Sequence, residues 1–268
     1  MSAKAIAIFD IDGVIRDVGG SYRRALADTV EHFTQGGYRP TPTDIDQLKA
    51  EGQWNNDWEG SQELTYRYFE AQGKPRDAIA LDYDSLVDFF QRRYRGPMLS
   101  DPTQWTGYIS QEPVLVTPEY FQQLSQAEIA WGFFSGATRG SACFVLEQRL
   151  QLDQPELVAM EDAPGKPDPT GLFQVLEAVA PAAARRPVLY AGDTVADMET
   201  IQRAAQQQPD RVWLGVGILP PHVVSAGADY AARYGDRLKA AGAAMVLPRL
   251  TDLTAAQILQ LTADEEQP

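Results

Sequence analysis

AIAIFDIDGV, at residues 5–14, begins with an apolar run, Ala5–Phe9, which is followed by two acidic residues and a glycine. An apolar run of this length is typical of a buried strand in a parallel sheet. Asp10 and Asp12 would then lie just beyond its carboxyl end, at the edge where open α/β sheets bind ligands. Gly13 permits a tight turn directly afterwards because it has no Cβ. The segment therefore predicts a strand that brings two carboxylates to a binding edge, although a solvated acidic turn has the same composition.

Three later segments repeat this arrangement, in which an apolar strand stops at a polar residue. A predicted strand near 130–134 precedes Ser135 and Gly136, one near 157–160 precedes Lys166, and one near 187–191 precedes Asp193 and Asp197. Each residue alone has an ordinary explanation: a Ser-Gly turn, a surface lysine, or helix capping by Asp193 or Thr194. Together they place a hydroxyl, an ammonium and carboxylates at one sheet edge. Such a set can bind a phosphoryl group.

The four segments resemble, in order, spacing and position at strand ends, the four motifs of the haloacid dehalogenase-like superfamily, specifically its phosphatases. The resemblance covers most of the chain outside residues 19–104. It implies that Asp10 is the nucleophile and a metal ligand, and that Asp12 is the general acid/base with its backbone carbonyl on the metal. The resemblance also implies that Ser135 and Gly136 bind phosphate, that Lys166 steadies the phosphate and that Asp193 is a metal ligand. Asp197 would either contact the metal directly or support a residue that does.

Electrostatics supports a cation at this edge independently. Asp10, Asp12, Asp193 and Asp197 would repel one another if gathered in one place, and some would stay protonated. A hard cation with oxygen ligands removes the conflict, and Mg²⁺ suits a site with few carboxylates plus a substrate phosphate. The predicted cofactor is therefore Mg²⁺.

Strands alternate with helical patterns along most of the chain, which predicts an α/β fold: a Rossmann-like parallel sheet with helices on both faces. Further strands are predicted near 211–216 and 245–248, and helices near 139–150, 170–179, 195–207 and 254–262. Over a hundred residues separate the first strand from the next motif, which is more than a simple crossover needs. We therefore expect a core domain of 1–18 and 105–268, and an inserted all-helical cap domain of 19–104. Helical patterns in this insertion run over 22–33, 44–49, 62–71 and 83–94.

The cap is expected to select the substrate, and one polar segment in it, from Gly52 to Gly60, is predicted to be a loop. Its asparagines and aspartate could hydrogen-bond hydroxyl groups, and its tryptophans could pack on a sugar or polyol, or simply pack beneath the loop. The candidate substrate contacts are Trp54, Asn55, Asn56 and Asp57, with Tyr22 and Arg23 from the first cap helix. Arg139, in the core, could bind phosphate or pair with a surface acid.

Composition restricts the partners. The 268 residues carry a formal net charge of −14, which disfavours binding to nucleic acid or an anionic membrane. No apolar run is long enough to span a bilayer, and we expect no signal peptide because the first strand is predicted to begin by residue 5. The single cysteine, Cys143, excludes an internal disulfide and indicates a reducing, cytoplasmic location. We expect a small phosphorylated metabolite as the partner, and the sequence indicates no oligomeric state.

The predicted activity is Mg²⁺-dependent hydrolysis of a small phosphomonoester through an aspartyl-phosphate intermediate. One alternative is a sugar-phosphate mutase of the same superfamily. The mutases that the chain resembles have a histidine early in the cap, where this chain has Gly20-Ser21-Tyr22. Another is a non-catalytic binding protein of the same shape, but such proteins usually lack the nucleophile or a metal ligand, and this chain keeps both.

Overall fold

The computed structural model describes residues 3–54, 56–181 and 186–264. The chain divides into two compact units. The core unit comprises Met1–Asp17 and Val114–Pro268, and the helical unit comprises Val18–Pro113. Within the described ranges, no helix is both long and apolar enough to cross a membrane.

The core unit contains a parallel sheet of six strands. In chain order these are β1 (Ala5–Phe9), β2 (Ile129–Phe134), β3 (Leu157–Val158), β4 (Val188–Gly192), β5 (Trp213–Ile218) and β6 (Ala243–Leu247). Their spatial order is β3-β2-β1-β4-β5-β6, and every neighbouring pair is parallel. The strand order reverses at β1, whose neighbours are β2 and β4, and open α/β sheets bind ligands at the carboxyl end of the strands at such a point.

The helical unit lies in the chain between β1 and β2. Its α-helices are α1 (Tyr22–Phe33), α2 (Pro42–Lys49), α3 (Asp57–Ala71) and α4 (Tyr83–Tyr94), with short 3-10 turns at Arg76–Ala78, Pro102–Gln104 and Tyr108–Gln111. Helix α1 packs against α3 and α4. In this core the ring of Tyr22 stacks on that of Tyr94, with centroids 3.9 Å apart.

The remaining helices belong to the core unit. They are α5 (Pro118–Gln126), α6 (Arg139–Cys143), α7 (Thr170–Val179), α8 (Val195–Gln207), α9 (Pro221–Ser225), α10 (Ala228–Ala240) and α11 (Ala255–Asp264). Helix α6 continues as a π-helical turn, Phe144–Arg149, and a 3-10 turn covers Leu250–Asp252. The sequence did not predict α5, α9 or α10.

The two faces of β1 are covered by different helices, as its alternating side chains require. Ile6 and Ile8 share a buried apolar cluster with Leu172 of α7 and Ile201 of α8. On the other face, the ring of Phe9 lies edge-on against aromatic rings of α5. The predicted Rossmann-like parallel sheet with helices on both faces is therefore confirmed.

One local prediction is wrong. The segment from Gly52 to Gly60 is not a loop throughout, because α3 begins at Asp57. Asn56 is its N-cap, and the side chain of Asn56 accepts a 2.9 Å hydrogen bond from the backbone N–H of Trp58. The acidic residues of the first turn, Asp57 and Glu59, stabilise the helix by interacting with the positive end of its dipole. The capping signal is present in the sequence, where Asn56 is followed by two acidic residues of the first helical turn.

Candidate active site

The site is built on the end of β1. The backbone N–H of Asp10 donates to Ala191 O of β4 at 2.9 Å, which fixes Asp10 beside the end of the neighbouring strand. Its side chain is buried. Gly13 follows with φ of +77°, and a Cβ there would lie 2.2 Å from Asp193 Oδ2. Glycine at position 13 is therefore required both by the turn and by the close approach of the Asp193 side chain.

Three carboxylates converge at this point. One oxygen atom from each of Asp10, Asp193 and Asp197 lies within 4.8 Å of the others. Asp193 directly follows β4, and Asp197 is in the first turn of α8. The parallel sheet thus brings together acids that are far apart in the sequence.

Lys166, in the loop after β3, supplies the positive charge. Its Nζ donates to Asp10 Oδ1 at 2.7 Å and to Asp197 Oδ1 at 2.6 Å. Only 2% of its side chain is exposed. A buried ammonium with two carboxylate partners is held in one position, which a surface lysine is not.

Asp197 is held by hydrogen bonds to both carboxylate oxygens. Oδ1 accepts from Lys166 and from the hydroxyl of Tyr190 at 2.9 Å. Oδ2 accepts from the backbone N–H and hydroxyl of Thr194, at 2.9 and 2.7 Å, and from the N–H of Asp193 at 3.1 Å. Thr194 is the N-cap of α8 and forms a capping box with Asp197. Asp197 therefore connects Lys166 to the loop that carries Asp193.

Burial and mutual repulsion set the protonation of these groups. Burial raises the pKa of Asp10 to about 7, although Lys166 opposes the rise. Burial and the neighbouring Asp10 raise the pKa of Asp193 well above its usual range. For Asp197, Lys166 and the hydrogen bonds outweigh burial, so its pKa is lowered. For Lys166, the carboxylates outweigh burial, so its pKa is raised and the ammonium stays charged.

The cluster fits a hard divalent cation. Two buried carboxylates, Asp10 and Asp197, and the partly exposed Asp193 face one buried ammonium. Burial first, and then the neighbouring carboxylates, raise the pKa of Asp10 and Asp193, and a cation bound here would oppose both effects. All ligand atoms are oxygens, as Mg²⁺ prefers. The hydrogen bonds to both oxygens of Asp197 make Asp10 and Asp193 the better candidate ligands.

Ser135 follows β2, on the opposite side of β1 from β4. Its N–H donates to Val158 O at 3.0 Å, and its Oγ accepts from the N–H of Ala137 at 3.1 Å. The hydroxyl is thus held in a strand-to-helix turn that also contains Gly136. Phosphate binding by Ser135 and Gly136 stays a prediction.

A family model for haloacid dehalogenase-like hydrolases matches residues 4–205. The chain belongs to the haloacid dehalogenase-like hydrolase family. It is therefore a hydrolase, and the matched residues include Asp10, Lys166, Asp193 and Asp197 of the cluster.

Individual relatives of this hydrolase are distant. An imidazoleglycerol-phosphate dehydratase of Phytophthora nicotianae is 28% identical over 251 residues, which is 92% of this chain and 51% of that protein. The chain thus spans about half the length of this curated relative. A phosphonoacetaldehyde hydrolase-like protein from Oleispira antarctica has a TM-score of 0.69 at 18% identity, covering 100% of this chain and 98% of its own. Phosphatase Tt82 from Thermococcus thioreducens has a TM-score of 0.59 at 19% identity, covering 85% and 98%. These structural likenesses show the fold.

Arg139, the third residue predicted to contact phosphate, has other partners in this hydrolase. Its guanidinium donates to Leu157 O at 3.2 Å and is ion-paired with Asp162. Its backbone N–H donates to Glu161 Oε2 at 2.9 Å. About half of the side chain is exposed, and binding phosphate would require the guanidinium to leave these partners.

The candidate substrate contacts in the helical unit also have partners of their own. Tyr22 is buried in the stack with Tyr94, and Arg23 pairs with Asp46. Trp54 Nε1 donates to Glu51 Oε2 at 2.8 Å, Asn56 caps α3, and Asp57 pairs with Lys49 at 2.7 Å. Asn55 lies outside the described residues. Substrate binding by this group of residues stays a prediction.

Sequence reasoning missed two side chains of the site. Tyr190 of β4 is fully buried and bonds to Asp197, as described above. Arg16 is fully buried as well, and its Nε donates to Asp12 Oδ1 at 2.6 Å. The sequence signal for Tyr190 is a tyrosine inside an otherwise apolar strand. The signal for Arg16 is an arginine four residues after Asp12.

Proposed function

We propose that this hydrolase is a Mg²⁺-dependent phosphatase that transfers the phosphoryl group of a small phosphomonoester to Asp10. The observation that carries the proposal is the pairing of buried Lys166 with buried Asp10 inside the carboxylate cluster. A nucleophilic carboxylate needs a fixed position and a nearby positive charge that also attracts the phosphate, and Lys166 supplies both.

The first chemical step breaks the ester bond. A carboxylate oxygen of Asp10 attacks phosphorus, and the bond from phosphorus to the leaving oxygen breaks. Asp12 gives its proton to that oxygen, so the alcohol leaves neutral. Asp10 then carries an acyl phosphate, and Asp12 is a carboxylate.

The second step restores the enzyme. Asp12 takes a proton from a water molecule, whose oxygen attacks phosphorus, and the bond from phosphorus to Asp10 breaks. Phosphate leaves, Asp10 is again a carboxylate, and Asp12 is again protonated. One acidic group thus serves as acid and then as base.

The rest of the site stabilises charge on the transferred group. Lys166 and the turn at Ser135 and Gly136 face the oxygens of the phosphoryl group, whose negative charge is spread over them in the transition state. Asp10, Asp193 and the backbone carbonyl of Asp12 would hold Mg²⁺. Asp197 would support these ligands without contacting the cation itself. When bound, Mg²⁺ neutralises the carboxylates and polarises the phosphoryl oxygen.

The substrate is proposed to be small, because a chain with a net charge of −14 repels polyanions. Sugar or polyol phosphates, phosphoglycolate and amino-alcohol phosphates such as histidinol phosphate fit this description. The name of the Phytophthora relative adds imidazoleglycerol phosphate to the set worth testing. The single cysteine supports a reducing compartment such as the cytoplasm.

The test is phosphate release from these esters and from an aryl phosphate, with Mg²⁺ or with a chelator. We expect release that requires the cation, is abolished by Asp10→Asn, and is unchanged by Asp153→Asn, the same substitution at an exposed aspartate. Isomerisation of a hexose 1-phosphate without release would instead identify a mutase. No turnover across the panel would favour a binding protein.

A further inference from the structure

Arg16 is the largest fully buried side chain of the described residues, and the roles proposed above do not include it. Burying a guanidinium is unfavourable unless it is paired and hydrogen-bonded. Arg16 meets this requirement partly through Asp12, whose Oδ1 lies 2.6 Å from Arg16 Nε. The buried arginine is therefore bonded to the side chain proposed as the acid and base of the reaction.

The backbone fixes the distance between these two residues. The N–H of Arg16 donates to Ile11 O at 3.1 Å, and the N–H of Gly13 donates back to Arg16 O at 2.9 Å. Arg16 also forms an antiparallel bridge with Val114 of the core unit. The turn that carries Asp12 is thus closed on itself and attached to a second chain segment, so Arg16 cannot move away from Asp12 without opening it.

We infer that Arg16 is a positioning residue that orients Asp12 for proton transfer, an inference that rests on the proposed phosphatase function. A guanidinium only donates hydrogen bonds and is not deprotonated in proteins. An oxygen that accepts from Arg16 Nε is therefore not the oxygen that carries the acidic proton. The pairing assigns Asp12 Oδ1 to Arg16 and Asp12 Oδ2 to the leaving group.

Leaving-group dependence separates this role from a purely structural one. A poor leaving group needs a proton as its bond to phosphorus breaks, whereas a good one leaves unaided. The ratio kcat/KM reports only the steps through departure of the alcohol, so hydrolysis of the acyl phosphate does not obscure it. The probes are p-nitrophenyl phosphate, which has a good leaving group, and phenyl phosphate, which has a poorer one.

For Arg16→Met we expect kcat/KM for phenyl phosphate to fall about 10- to 100-fold and that for p-nitrophenyl phosphate to fall less than about threefold. Arg16→Lys, which keeps the charge but not Nε, should show the same split with a smaller loss. In an Asp12→Asn background, Arg16→Lys or Arg16→Met should cause no additional loss for phenyl phosphate, because Arg16 acts through Asp12.

Equal losses for both esters, or an added loss in the Asp12→Asn background, would overturn the inference and leave Arg16 a structural role. If Arg16→Met does not fold, as judged by circular dichroism, Arg16→Lys decides by the same comparison. Failure of the phosphatase proposal looks different: the wild-type enzyme would then release phosphate from neither ester in Mg²⁺.

Discussion

Raising the pH in the absence of a cation should destabilise this hydrolase. The pKa of Asp10 is raised from 3.8 to about 7 in the folded protein, so the folded state binds a proton that the unfolded state has lost. Between these two values the unfolded state binds fewer protons than the native state, and stability must fall as pH rises. The pKa of Asp193 is raised as well, which acts in the same direction.

The size of the effect follows from the shift. Each pH unit within the window costs up to about 1.4 kcal/mol per group, and the slope declines near the folded pKa of about 7, so Asp10 contributes a loss of about 2 kcal/mol between pH 5 and 7. For a chain of this size the loss corresponds to a drop of about 4–8 °C in melting temperature. Lys166, whose pKa is raised, and Asp197, whose pKa is lowered, keep their charges throughout this range and add no slope.

The assay is thermal unfolding in a chelator at several pH values from 5 to 8, repeated in Mg²⁺. We expect the melting temperature to fall with pH in the chelator and Mg²⁺ to restore it most at the alkaline end. Asp10→Asn removes the titrating group and should flatten the decline, whereas Asp153→Asn at an exposed position should keep it. A melting temperature that stays constant or rises between pH 5 and 8 in the chelator would refute the reasoning.

Three further substitutions test separate parts of the site. Lys166→Met leaves Asp10 and Asp197 without their ammonium. We expect the free energy of unfolding to fall by about 3–5 kcal/mol and kcat for phosphate release to fall at least about 100-fold. Wild-type values in both assays would contradict this. Asp197→Asn should weaken Mg²⁺ binding, measured by calorimetry, less than Asp193→Asn does, and the reverse order would make Asp197 the better ligand. Gly13→Ala should cost about 1–3 kcal/mol in denaturant unfolding because of its positive φ and the contact with Asp193; unchanged stability would show that the turn can relax.

Much of the fold could be predicted because apolar periodicity determines which segments are buried. Strand β1 covers the predicted residues, Ala5–Phe9, since both of its faces are buried and every position is apolar. Helices α1 and α4 also match the predicted bounds, 22–33 and 83–94. Helix α10, Ala228–Ala240, is not predicted because alanines and charged residues outnumber its large apolar side chains, although Tyr234 and Leu238 are four residues apart and bury one side of it.

The motif residues could be chosen from the sequence because each follows a strand, and the parallel topology brings such positions together. Their detailed contacts could not. The hydrogen bonds of Asp197 depend on a capping box with Thr194 and on a tyrosine inside β4. The burial of Arg16 depends on a turn closed by backbone hydrogen bonds, which leaves no periodic pattern.

The central claim is that Asp10 accepts the phosphoryl group, and trapping the phosphorylated enzyme tests it most directly. The enzyme is mixed with substrate and Mg²⁺, quenched in acid during turnover, and treated with borohydride, which reduces an aspartyl phosphate to homoserine. Peptide mass spectrometry then locates the modified residue. We predict modification at Asp10, absent without substrate. Modification at another residue, or none at Asp10 while the enzyme is releasing phosphate, would contradict the claim.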